Sequence, residues 1–110
     1  MTSETKTIAL TEAGFDEVLA AHPRLVVDFW ATWCGPCRVL GPVLDAVAQE
    51  QADHVTVGKV NVDEQPGLAG RFSIRSIPTL IFFKNGEAVD TVIGAVPRAE
   101  IDKRITALQD

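Results

Sequence analysis

Two cysteines, Cys34 and Cys37, stand three positions apart with Gly35 and Pro36 between them, and the chain has no others. Sulfur at this spacing supports three kinds of chemistry. On the first turn of a helix the pair shares a face, so both sulfurs come within bonding reach and can cycle between dithiol and disulfide. Unpaired N–H groups and the positive end of the helix dipole favour a thiolate at Cys34, and the thiolate is the attacking species in exchange. Cys34 would then attack a disulfide and Cys37 would resolve the mixed disulfide. In that reading Gly35 and Pro36 stiffen the turn and leave Cys34 approachable, while Cys37, one turn in, is the more buried. A zinc site is the second possibility, but zinc takes about four ligands. The two histidines, His22 and His54, lack metal-ligand spacing with the pair or with each other, and both are expected to face solvent. A purely structural disulfide is the third, disfavoured by its short loop.

The context decides between them. Leu25-Val26-Val27-Asp28-Phe29-Trp30-Ala31 is nearly unbroken apolar sequence, rich in β-branched and aromatic residues, and reads as a strand buried on both faces. The cysteines follow at once. From Cys34, the residues Leu40, Val43, Leu44 and Val47 keep a helical period to about Gln51, with Pro42 inside it, where a kink is expected. Before the strand, Thr7–Leu10 reads as a short strand. Thr11 then caps a helix that carries Phe15, Val18 and Leu19 on one face and stops at His22-Pro23. After the cysteine helix come a strand over Val55–Val62, a short helix over Pro66–Phe72 and a strand over Thr79–Phe83. Asn85-Gly86 then marks a hairpin to Ala88–Ile93, and a helix opened by Pro97 presents Ile101, Ile105 and Leu108. The order β-α-β-α-β-α-β-β-α predicts an α/β fold with a mixed central sheet flanked by helices on both faces.

Composition narrows the function classes. The 110 residues fit one domain, 1–110, with a polar, frayed segment over 1–6. A chain of this size buries roughly two-thirds of its unfolded surface, so it needs neither metal nor disulfide merely to fold. Fifteen acidic against ten basic residues give a net charge of −5 with no Lys/Arg stripe, which argues against nucleic acid as a partner. No apolar run approaches the roughly 20 residues that span a bilayer, so no membrane association is expected. No signal or transit pattern is visible at the start, and a reducing cytoplasm is the expected compartment. Gly67-Leu68-Ala69-Gly70 lacks the third glycine of a dinucleotide loop and follows no strand.

The segment from Val27 to Cys37, Val-Asp-Phe-Trp-Ala-Thr-Trp-Cys-Gly-Pro-Cys, resembles the active site of the thioredoxin family. Matches continue through Pro42, Lys59, Asn61-Val62-Asp63, Ile77-Pro78-Thr79, Phe83-Lys84-Asn85-Gly86 and Gly94, covering the chain from about Ala20 to its end. The resemblance implies a thioredoxin fold and a protein disulfide reductase. Its redox group is a Cys34–Cys37 disulfide, and it binds no cofactor. It would be re-reduced by an NADPH-dependent flavoprotein, thioredoxin reductase, in which NADPH and FAD reside. Disulfide-containing client proteins and a monomeric state are implied as well. Gly35-Pro36 is the pair thioredoxins carry, which points to a reductant.

Residue roles follow from the same resemblance. Asp28 would lie beneath the cysteines and take the proton of Cys37, which agrees with a carboxylate whose strand neighbours leave no polar face. Read alone, Asp28 could also sit on a solvated strand face. Lys59 matches a residue that pairs with that aspartate; otherwise it is a charged side chain near a strand end. Pro78 matches a cis-proline facing the disulfide, although most X–Pro bonds are trans and nothing else in the sequence calls for cis. Trp33 would contact substrate, with Gly35, Pro36, Ile77, Gly94 and Ala95 completing an apolar docking surface and Trp30 packed behind it. Gly94 has a second reading, a strand end that needs close backbone approach.

Overall fold

A computed structural model describes residues 7–109, so the segment expected to fray at 1–6 lies outside the described residues. Its elements are β1 (Ile8–Ala9), α1 (Phe15–Ala21), β2 (Arg24–Trp30), α2 (Gly35–Glu50), β3 (Thr56–Asn61), α3 (Pro66–Arg71), β4 (Thr79–Lys84), β5 (Glu87–Ile93) and α4 (Arg98–Leu108). The strands form a five-stranded sheet in the order β1-β3-β2-β4-β5. β3 runs parallel to β1 and β2, while β4 is antiparallel to β2 and β5, so the sheet is mixed.

Alternation along β2 explains the layers. Successive side chains of a strand point to opposite faces, and every residue from Leu25 to Phe29 is buried. Leu25, Val27 and Phe29 pack with Phe15 of α1, Leu68 of α3, and Val60, Ile81 and Phe83 of the sheet. Val26 packs on the other face with Val57, Leu80 and Phe82 of the sheet, Leu40, Leu44 and Val47 of α2, and Ile101, Ile105 and Leu108 of α4. The same parity turns Asp28 and Lys59 toward the α2 side. Their strands are in register, Val26 opposite Val57 and Asp28 opposite Lys59. Two charges therefore occupy what would be core positions at the end of the sheet where α2 begins.

The hairpin at Asn85-Gly86 forms as read, with φ of 52° and 88°, both positive as a two-residue primed turn requires. Helix α2 continues unbroken through Pro42. Two local expectations need correction. Thr11 is not the cap of α1, because the helix starts at Phe15 after Gly14. The Thr11 hydroxyl instead accepts from Gly14 N–H at 3.1 Å and closes the preceding turn. His22 does not simply face solvent: it is half-buried and its Nδ1 lies 3.1 Å from Thr56 Oγ1, while His54 is exposed as expected.

Candidate active site

Strand β2 ends at Trp30, and after four residues the chain enters α2 at Gly35. Ala31 O accepts from Cys34 N–H at 3.2 Å, which tightens the turn. Cys34 is the N-cap residue of α2, in extended conformation, and its sulfur accepts from Cys37 N–H at 3.2 Å. Pro36 sits in the first turn, where a missing N–H breaks no hydrogen bond. The two sulfurs are bonded, with Cα atoms 5.2 Å apart. Both cysteines are 4% exposed, so the expected contrast between an open Cys34 and a buried Cys37 is absent in this oxidised form. Gly35 and Pro36 beside Cys34 are exposed, and the Ile77 carbonyl oxygen lies 3.8 Å from Cys34 Sγ.

Ile77 packs against the disulfide, and Pro78 follows it in the chain. The bond between them is cis, as the resemblance implies. Pro78 is buried and Ile77 half-buried. Pro78 O accepts from Gly94 N–H at 2.8 Å, which draws the end of β5 to the site and places exposed Ala95 beside it. Gly94 has φ of +100°, and a Cβ there would meet nothing within 4 Å. Its glycine is thus required by backbone conformation and not by close approach. Trp33 is 65% exposed beside the cysteines, and its indole N–H donates to Asp63 Oδ2 at 2.8 Å. Trp30 packs behind the disulfide with Val62 and Ile77.

Asp28 is 1% exposed, and its Oδ1 has no hydrogen-bond partner among the described residues. It lines a cavity of about 150 Å³ with Trp30, Cys37, Arg38, Gly41 and Lys59. Burial pushes its carboxyl up from 3.8 to about 7, against the opposing pull of the Lys59 charge. Lys59 departs from the pairing that the resemblance implies. Among the described residues its ion pair is with Asp45 of α2, at 3.3 Å. The reason is geometric: its long side chain reaches past the sheet to the helix, while the short Asp28 carboxyl stays at sheet level. A larger cavity, of about 450 Å³ beside Pro23 and Asn85-Gly86, lies at the other end of β2, with Asp16 in its lining and neither cysteine.

The structure thus gathers Cys34, Cys37, Asp28, Lys59, Trp33, Gly35, Pro36, Ile77, Pro78, Gly94 and Ala95 around one end of β2. Asp45 and Asp63 join them without having been singled out from sequence. Asp45 had a legible signal, since Cys37, Gly41 and Asp45 recur every four residues on one helix face. Asp63 was legible only as part of the Asn61-Val62-Asp63 match, and its contact with Trp33, thirty positions away, was not. No group of three or more His, Cys, Asp or Glu residues suited to a metal occurs among the described residues.

The Thioredoxin family model matches residues 6–107. The chain belongs to the thioredoxin family. It is 54% identical over 94 residues to Thioredoxin 1 of Synechococcus elongatus, covering 84% of this chain and 88% of that protein. It is 50% identical over 97 residues to the thioredoxin of Porphyra purpurea, covering 87% and 91%. The M-type chloroplastic thioredoxin of Pisum sativum is 46% identical over 97 residues, 87% of this chain and 56% of that protein. The crystal structure of Malassezia sympodialis thioredoxin superposes with a TM-score of 0.87 at 37% identity, covering all of this chain and 96% of the other. Thioredoxins are thiol–disulfide oxidoreductases that carry no bound cofactor, and so is this chain: its redox group is the Cys34–Cys37 disulfide itself.

Proposed function

We propose that this protein reduces disulfides in other proteins, with Cys34 as attacking thiolate, Cys37 as resolving thiol and Asp28 as proton acceptor for Cys37. The observation that carries the reading is the buried, unpartnered Asp28 carboxyl lining one cavity with Cys37. In the dithiol state, Cys34 S⁻ attacks one sulfur of a client disulfide; an S–S bond forms, the client bond breaks and the other client sulfur leaves as thiolate. Asp28 then takes the Cys37 proton, and Cys37 attacks Cys34 Sγ. The second client sulfur leaves and the disulfide seen here is formed. Two electrons have passed to the client. A carboxyl titrating near 7 is matched to moving that proton at neutral pH.

Client docking falls to the apolar rim: Trp33, Gly35, Pro36, Ile77, Gly94 and Ala95. With Pro78 fixing the backbone beside the disulfide, the main-chain groups of Ile77 can pair with an extended client segment, as in strand addition. Lys59 acts on Asp28 through its charge. Re-reduction is assigned to thioredoxin reductase, whose NADPH and flavin supply the electrons. The cytoplasm, where thiols stay reduced, suits this work. No helix among the described residues is long and apolar enough to cross a membrane.

The test is insulin disulfide reduction driven by NADPH and a cognate thioredoxin reductase. Turnover by the wild type, lost in Cys34→Ser, is the expected result, and no turnover by the wild type overturns the proposal. Cys37→Ser is expected to accumulate mixed disulfides through Cys34.

A further inference from the structure

Lys59 stands opposite Asp28 in the β2–β3 ladder, yet its ammonium is elsewhere. Lys59 Nζ donates to Asp45 Oδ1 at 3.3 Å. A Cβ built on Gly41 would lie 3.9 Å from that same Nζ, so the side chain runs up against α2 at a position that has no side chain of its own. Asp28 Oδ1, meanwhile, accepts no hydrogen bond among the described residues. The other cation lining the cavity is also tied away from the carboxyl, for Arg38 donates through Nε and Nη2 to Thr32 O at 3.2 and 2.9 Å. Cys37, bonded to Cys34 in this form, adds no charge from α2, Trp30 lines the cavity from β2 itself, and Leu80, opposite Asp28 on β4, brings no charge.

We propose that Asp45 is a positioning residue that tethers the Lys59 ammonium to α2 and so keeps Asp28 without a hydrogen-bonded counter-ion. The consequence for exchange rests on the reading of Asp28 as proton acceptor. A carboxylate clamped by an ammonium is held in its charged form and is a weak base. With the ammonium tethered, burial dominates and Asp28 stays basic enough to accept the Cys37 proton. The tether lies at the edge of the site, with the Asp45 side chain 40% and that of Lys59 22% exposed, so losing it leaves the core packing intact.

The decisive measurement is the pH titration of the Asp28 carboxyl carbon by NMR in the oxidised protein, which needs no turnover. Wild type, Asp45→Asn, Lys59→Met and the double variant are compared. Asp45→Asn is expected to lower the Asp28 midpoint by about one pH unit, because the released ammonium moves onto the carboxylate. In the Lys59→Met background the same substitution is expected to shift it by less than half as much. Equal shifts in both backgrounds would show that Asp45 acts only as a distant charge and would overturn the tether, as would no shift at all. The pH profile of mixed-disulfide resolution separates the two readings. If the carboxyl titration moves and the profile does not, the tether stands and the role of Asp28 as base falls.

Discussion

Trp33 and Asp63 are joined across the rim of the active site by a 2.8 Å hydrogen bond from indole Nε1–H to Oδ2, although thirty positions separate them in the chain. Asp63 is itself anchored, since its N–H donates to Asn61 Oδ1 at 2.9 Å. A large ring left mostly in solvent is thereby held in one orientation, and the entropy of ordering it is lost before a client arrives.

Asp63→Ala is therefore expected to weaken client docking more than chemistry. The bond is solvent-exposed and charge-assisted, so its loss corresponds to about 1 kcal/mol, or roughly a fivefold rise in KM with insulin. The kcat value should change by less than twofold. Steady-state insulin reduction checks the split, and Trp33 fluorescence reports the freed ring.

Asp28 makes stability fall as pH rises. Its carboxyl titrates near 7 in the folded chain and near 3.8 when unfolded, so between those values the folded state holds a proton that the unfolded state has lost. The stability this provides is complete below about 3.8 and is lost as pH rises through about 7, on the order of 4 kcal/mol in all. Asp28→Asn removes the titration. It should be more stable than wild type by about 1–3 kcal/mol at pH 9, after allowance for the unpaired amide it leaves buried. At pH 5 the advantage should vanish. Urea unfolding at the two pH values measures it.

The same variant should slow resolution of the mixed disulfide by about a hundredfold at pH 7, the lower end for loss of a positioned base. Attack by Cys34 should be little affected. Stopped-flow kinetics with a mixed-disulfide substrate separates the steps.

Gly58→Ala tests the seam between β1 and β3. A Cβ at Gly58 would lie 2.5 Å from Cδ1 of Leu10, which is itself buried at 3% exposure and has little room to move. Overpacking of this kind is expected to cost about 1–3 kcal/mol. Denaturant unfolding should show a lower midpoint with unchanged m-value, and the redox activity should survive.

Much of the architecture was legible because its signals are local. The apolar run from Leu25 to Ala31, the Asn85-Gly86 turn and the period of Leu40, Leu44 and Val47 each depend on neighbours within a turn or a strand. Thr11 misled for the same reason. A hydroxyl ahead of an apolar period reads as a helix cap, but here it closes the turn over Thr11–Gly14 that immediately precedes α1. Asp28 announced itself by interrupting an apolar run, while Lys59 showed only its presence. Which carboxylate it binds depends on how far α2 stands above the sheet, and no local pattern encodes that distance.

By itself the sequence determined the pair Cys34 and Cys37, the strand that ends before it and the helix that starts on it, because spacing and periodicity act over a few residues. It also set a carboxylate at Asp28 inside an apolar run, without deciding whether that strand face would be solvated. Tertiary structure alone decided what surrounds that charge. Strand register set Lys59 opposite it, the packing of α2 carried the ammonium off to Asp45, and the loop after β3 brought Asp63 to Trp33. Those contacts join segments 14 to 31 residues apart, and they form only when the packed sheet and helices hold their separate chain segments in place.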